Sequence, residues 1–248
     1  MRIIDSHIHC GVQNVHQPYE RIAPLLTGAG IETACLFAPV EDIYDRYDIG
    51  FEDDDAWRRC RRSAHDYLLR LSMEKPGVIP YYFVWNDFTV EDLEKPFRGI
   101  KWHHHPGEPE YRYQDPRCME MIEAICSRKL PIVLEETFER TQIFIRQVAG
   151  RTAVIIPHLG MLNGGFQRLR QAGVWAAPDV YADTALAGRD EIRSFIADYG
   201  TDRLIFGSDY PFGMPAEQLA GVQSLGLGED EMTKICGENI SRLLRIKR

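Results

Sequence analysis

The chain has 248 residues, 44% hydrophobic and 27% charged, the make-up of an ordinary globular protein of one or two domains. Its formal net charge of -8, with no basic run to offset it, argues against general affinity for nucleic acid or an anionic membrane surface. No apolar stretch reaches roughly 18 residues and the N-terminus enters an apolar strand directly, so a cytoplasmic protein is expected, with no membrane partner. The six cysteines (Cys10, Cys35, Cys60, Cys118, Cys126 and Cys236) are scattered without a C-x-x-C pair, which suits reduced thiols better than a disulfide framework.

In chain order, the first element is a strand from Ile3 to His9, with His7 and His9 two residues apart near its end. Side chains at i and i+2 of a strand share a face, so the two imidazoles can converge on one cation. Cys10 falls on the opposite face and reads as packing. Further strands are expected at Thr33 to Ala38, Val78 to Trp85, Gly99 to His103, Ile132 to Glu136, Ala153 to His158, Val180 to Thr184 and Leu204 to Ser208. Most are short apolar runs of the kind covered on both faces of a parallel sheet. Helical periodicity marks Asp54 to Met73, Pro116 to Arg128, Thr141 to Ala149, Phe166 to Ala172, Arg189 to Tyr199 and Glu229 to Leu244.

Eight strands alternating with helices over this length predict an α/β protein, a single-domain (β/α)8 TIM barrel spanning 1–248. A doubly wound open sheet is the alternative, but it gives no reason for histidines at several strand ends. In a barrel, the loops Glu41 to Asp55 and His104 to Asp115 lie at the C-terminal face, where active sites are built. Their aromatic residues are expected to shape a pocket, and the Asp53–Asp55 run to be solvated charge at a helix start.

Several strands end in potential ligands: His7 and His9 on the first, Glu135 on the fifth, His158 on the sixth and Asp209 after the eighth. Singly each has a structural explanation, such as a helix cap or a satisfied loop carbonyl. Together they offer imidazole and carboxylate groups suited to Zn²⁺, Mn²⁺ or Fe²⁺. On the fourth strand, Lys101 and His103 share a face and are candidate substrate contacts, while His104 points away.

At these residues the chain resembles the amidohydrolase superfamily, in particular the amidohydrolase-related group of metal-dependent barrel hydrolases and decarboxylases. The likeness runs from Ile4-Asp5-Ser6-His7-Ile8-His9 through Gly99-Ile100-Lys101 and Ile156-Pro157-His158-Leu159-Gly160 to Phe206-Gly207-Ser208-Asp209-Tyr210-Pro211. It ends in Gly237-Glu238-Asn239-Ile240-Ser241-Arg242-Leu243-Leu244. The resemblance implies one divalent metal ion, Zn²⁺ or Mn²⁺ first, held by His7, His9, His158 and Asp209, with Glu135 a further candidate ligand. It also implies hydrolysis of an ester, lactone or amide of a small molecule by metal-activated water. Asp209 would accept the water's proton, and His158 would stabilise the oxyanion.

One position departs from the family pattern. Where the fifth strand usually ends in histidine, this chain has Glu135. Two roles are open to it: a carboxylate ligand that weakens the cation as a Lewis acid, or a partner for Lys101. Non-oxidative decarboxylation of an aromatic or unsaturated acid is the alternative chemistry, with Arg46, Arg112 or Lys101 as anion contacts. A barrel with a degenerate, non-catalytic site is a further alternative. A two-metal nuclease would need another fourth-strand carboxylate, where this chain has Lys101 and His103. The expected partner is a small-molecule substrate, and exposed barrel helices would allow a homodimer.

Overall fold

The computed structural model describes residues 1–246; Lys247 and Arg248, the end of the expected 1–248 domain, lie outside the described residues. Eight strands form one parallel sheet in sequential order: β1 Ile4–His9, β2 Thr33–Phe37, β3 Val78–Phe83, β4 Gly99–His103, β5 Ile132–Glu135, β6 Val154–Ile156, β7 Val180–Asp183 and β8 Leu204–Ile205. Closure is made by the chain past β8, where Ser6 N–H donates to Phe206 O (3.0 Å), Asp209 N–H to His7 O (2.8 Å) and His9 N–H to Tyr210 O (2.9 Å). This is a (β/α)8 TIM barrel, and closure rules out the open-sheet alternative. Every strand residue is buried except Tyr181, which is half-buried, as expected where helices cover the outside and side chains fill the inside.

The helices are α1 Tyr19–Gly28, α2 Asp55–Glu74, α3 Pro116–Arg128, α4 Phe138–Val148, α5 Phe166–Gln171, α6 Arg189–Tyr199, α7 Pro215–Gln223, α8 Glu229–Thr233 and α9 Asn239–Leu244. Two of them, α1 and α7, were not expected from sequence. Pro24 lies inside α1 and removes a backbone donor, and α1 buries only Ile22 and Leu26, so its periodic signal is faint. The expected helix Glu229–Leu244 is interrupted by a π turn over Lys234–Glu238. There Gly237 packs on the chain start so closely that a Cβ would stand 2.4 Å from the Arg2 carbonyl oxygen.

Inside the barrel, Phe37, Tyr81, Val133, Ile155 and Ile205 pack together, with Ile240 and Leu244 of α9 added to the same cluster. A larger apolar layer lies between sheet and helices and contains Ile8, Cys10, Leu36, Trp102 and Leu134. Ile4 packs in the inner cluster and Ile8 in the outer one, although strict alternation would put both on one face. The pairing of β1 with β2 slips between Asp5 and Ile8. That irregularity turns the strand over, so Ile4 fills the barrel while His7 and His9 still face its mouth.

His65 ties α2 to the sheet: it is buried, and its Nε2 accepts from Phe83 N–H at 3.1 Å. Burial pushes its imidazole down from 6.5 to about 3. The unfolded chain therefore takes up a proton near pH 6.5 that the folded chain refuses, and stability falls as pH drops below that point. Between pH 7 and 5 the advantage of wild type over His65→Gln should shrink by about 2 kcal/mol in urea denaturation. An unchanged difference would show that His65 is not held neutral.

Candidate metal centre

The strands deliver their terminal polar groups to one rim. Inward positions alternate, so Lys101 and His103 of β4, Val133 and Glu135 of β5, and Cys35 and Phe37 of β2 all face the axis. Glu136 turns outward, bound by His104 (3.0 Å) and Tyr113. Two ligand candidates sit past their strands in left-handed backbone, His158 at φ 57° and Asp209 at φ 57°. Such conformations are costly for non-glycine residues and recur at functional sites. Gly207 lets the chain past β8 approach β1: a Cβ there would stand 2.9 Å from that of His7.

Asp183, at the end of β7, organises the two ligand arms. Its Oδ2 lies 2.7 Å from His7 Nδ1, while Oδ1 accepts from the backbone N–H groups of His158 (2.8 Å) and Ala185 (3.1 Å). With Nδ1–H donated to Asp183, His7 turns Nε2 to the mouth, where a cation would displace its proton and take the lone pair. His158 also turns Nε2 to the mouth, since its Nδ1 is 2.9 Å from the Ala185 carbonyl oxygen and must be the donor.

The Nε2 atoms meet at Asp209. Its Oδ1 is 3.2 Å from both His7 Nε2 and His9 Nε2, and its Oδ2 is 3.8 Å from His158 Nε2. Oδ1 is nevertheless buried without a hydrogen bond of acceptable geometry. Burial alone would raise this carboxyl, but the charge of a protonated His7, itself raised to about 9 by Asp209 and Asp183 against burial and Lys101, holds it below the ordinary carboxylate range, with His9 adding to the effect. Two imidazole nitrogens and an orphaned carboxylate oxygen, all within 4.8 Å of one another, form a donor set of the kind that holds a divalent cation. Phe37 stands edge-on to His7 (4.9 Å between centroids) and His9 (4.8 Å) and fixes both rings.

Glu135 is placed differently. Lys101 Nζ donates to Oε1, and His105 Nε2 lies 2.8 Å from Oε2, with His103 Nε2 at 3.5 Å. Burial would raise Glu135 as well, but the Lys101 ammonium holds it well below its ordinary value, helped by the hydrogen bond from His105. From His105 and His103 a closed polar ring runs through two loops: Arg46 pairs with Glu108, Tyr44 donates to Glu108 Oε2 (2.8 Å), and Tyr44 Oη lies 3.2 Å from His103 Nδ1. Burial pushes His103 well below its ordinary value, so this ring holds it neutral. His103, His105 and Glu108 can also group around a cation, but the Arg46 guanidinium already neutralises Glu108.

A cavity of about 210 Å³ opens above these groups. Arg46, His103, His105 and Glu135 make its polar wall, and Val40, Met161, Leu162, Leu186 and Phe212 its apolar one; His9, His158 and Asp209 also line it. His7 and Lys101 lie beneath, each fully buried. Lys101 does not line the cavity itself, and Arg112 lines a separate surface cleft with Trp85 and Asn86. Sequence reading passes over Asp183 and Glu108, and it places Tyr44 and His105 only in loops at the mouth. Asp183 carried the same signal as the others, a carboxylate ending an apolar strand. Asp53 departs from the solvated role expected of it, since both its oxygens accept from the buried Arg61 (2.9 and 2.6 Å).

A family model described as amidohydrolase matches residues 4–246. No curated protein matches the chain. Among solved structures, 2,6-dihydroxybenzoate decarboxylase from Rhizobium is similar at a TM-score of 0.75 and 15% identity, covering 99% of both chains. A Pseudomonas putida protein provisionally named 2-pyrone-4,6-dicarboxylic acid hydrolase aligns at 0.73 and 16%, over 100% of this chain and 98% of that one. A dihydroxybenzoic acid decarboxylase from Polaromonas sp. JS666, with bound manganese and 2-nitroresorcinol, aligns at 0.72 and 13%, over 100% and 98%. At these identities the likeness carries the fold alone. No helix among the described residues is long and apolar enough to cross a membrane.

Proposed function

Because the chain belongs to the amidohydrolase family across residues 4–246, we propose that it is a metal-dependent hydrolase of a small-molecule ester, lactone or amide. The observation that carries this reading is the orphaned Asp209 Oδ1 between the Nε2 atoms of His7 and His9. His7, His9 and Asp209 would hold the divalent cation, with His158 on its open side. When bound, such an ion acidifies water and polarises a carbonyl, and Zn²⁺ and Mn²⁺ both suit this donor set.

The chain's own residues supply the rest. Asp209, held ionised, accepts the proton of the attacking water. His158 Nε2, facing Asp209 Oδ2 across the mouth, can take that proton on and return it to the leaving group. In the tautomer set by Ala185 it stabilises an oxyanion only after it has been protonated. The apolar wall around Phe212 fits an unsaturated or aromatic body, and Arg46 with His103 and His105 fits a polar or anionic substituent. His103 is the proposed substrate contact, whereas Lys101 acts from below.

The second reading, decarboxylation of an aromatic acid, is favoured by that same pairing of an apolar wall with a polar one that carries Arg46. Protein purified without chelator should contain close to one divalent metal per chain. Hydrolysis of a lactone and aryl ester panel should disappear on chelation and return with Zn²⁺ or Mn²⁺. Hydrolysis indifferent to chelation would overturn the metal-dependent reading. Carbon dioxide release from hydroxybenzoates, without hydrolysis of any ester or lactone, would replace it with the decarboxylase.

A further inference from the structure

We propose that Glu135 is the counter-ion of Lys101 and stays off the cation, so that the ion is held by His7, His9 and Asp209 beside a neutral buried pair. This rests on the cation site proposed above. Three observations lead to it.

First, the two carboxylates at the mouth differ in occupancy. Asp209 keeps an oxygen with no hydrogen-bond partner, whereas both oxygens of Glu135 already have donors, Lys101 on Oε1 and His105 on Oε2 at 2.8 Å. A cation on Glu135 would have to share an oxygen with the Lys101 ammonium or the His105 imidazole, whereas Asp209 offers one that is unshared.

Second, two donor sets share one nitrogen. His7 Nε2 belongs with His9 and Asp209 and also with Glu135 and His158. Its Nδ1 is engaged by Asp183, so it has a single lone pair to offer one ion. The set that includes the orphaned oxygen gains the most from that ion.

Third, among the described residues Lys101 has no other carboxylate partner. It is fully buried, its Nζ lies 3.4 Å from His7 Nε2, and it stands 4.6 Å above the centre of the Phe37 ring. A bare ammonium this close to a ligand nitrogen would repel a divalent ion. Glu135 removes that repulsion only while it remains on Lys101. The carboxylate in the strand-five position thus acts on the ion through charge balance, which makes Glu135 and Lys101 positioning residues.

A four-variant titration decides the matter. Mn²⁺ binding is measured by calorimetry on chelator-treated wild type, Glu135→Gln, Lys101→Met and the double variant, and apo melting temperatures are recorded for all four. The expected pattern is binding at least about tenfold weaker in Glu135→Gln, unchanged or tighter binding in Lys101→Met, and a double variant within about threefold of wild type. A double variant as weak as Glu135→Gln would make Glu135 a direct ligand and overturn the proposal, as would unweakened binding in Glu135→Gln. If Glu135→Gln alone cannot fold, rescue of folding by Lys101→Met reads the same pairing, and failure of rescue refutes it. If wild type binds no Mn²⁺, the metal-dependent reading falls on its own, and the apo melting temperatures judge the pair. Two single losses largely recovered in the double variant support the counter-ion, and additive losses overturn it.

Discussion

Replacing Asp209 with Asn is expected to lower turnover at least about 10³-fold while leaving the melting temperature close to that of wild type. The substitution removes the one mouth carboxylate among the described residues with an open oxygen, and the group proposed to accept the water's proton. It changes almost nothing else. Asn tolerates the left-handed backbone at φ 57° about as well as Asp, and the backbone bond from residue 209 N–H to His7 O does not depend on the side chain. Cation affinity should fall as well, since an amide oxygen is a weaker ligand than a carboxylate. Turnover on the best substrate of the panel, the Mn²⁺ dissociation constant and a thermal melt check the three parts. Turnover within tenfold of wild type would remove Asp209 from the chemistry. His7→Ala should be as damaging to activity but also to folding, because it leaves Asp183 buried without the imidazole it binds.

The largest effect on stability is expected at Arg61. This side chain, 2% exposed, donates to Asp87 through Nε (3.0 Å) and to the Ile43 carbonyl through Nη1 (2.9 Å), and it forks onto both oxygens of Asp53. It pins the loop between β2 and α2 to the connection that follows β3. Arg61→Met keeps much of the volume but strands two carboxylates and a carbonyl, and breaking a buried pair on one side costs about 3–5 kcal/mol. That is a large share of the roughly 5–15 kcal/mol that stabilises a typical domain. Urea unfolding should register the loss directly, and a change below about 1 kcal/mol would show the cluster to be dispensable. The same loop carries Tyr44 and Arg46, which hold His103 and Glu108. A raised KM is therefore expected alongside the lower midpoint.

Much of the fold was legible because it depends on local periodicity. Short apolar runs at regular spacing mark all eight strands, and seven of them end in the structure within two residues of the expected position. The exception, β8, closes the barrel through backbone bonds beyond Ile205 that do not extend the strand itself. Helices with a clear apolar stripe, such as α2 and α3, were equally legible. Of those that were missed, α1 is interrupted by Pro24, and α7 has only a weak apolar stripe in Pro215, Leu219 and Val222. The slip in β1 has no signature in residue types, yet without it Ile4 and His7 could not both face inward.

For the site, the sequence by itself determined which kinds of group arrive at the mouth, because strand-end position and residue type are local properties. His7, His9, His158, Glu135 and Asp209 are all there, as that pattern implied. Only the tertiary structure decided how they divide the work. Which nitrogen of His7 is free depends on Asp183, which is 176 residues away. Whether a carboxylate has an open oxygen depends on the donors its neighbours bring. Glu135 meets Lys101 and His105 from β4 and the loop after it, while Asp209 faces the Nε2 atoms of three imidazoles. Two acidic residues of the same charge and the same strand-end context thus take opposite roles, because hydrogen-bond partners are assigned by packing across strands and not by sequence position.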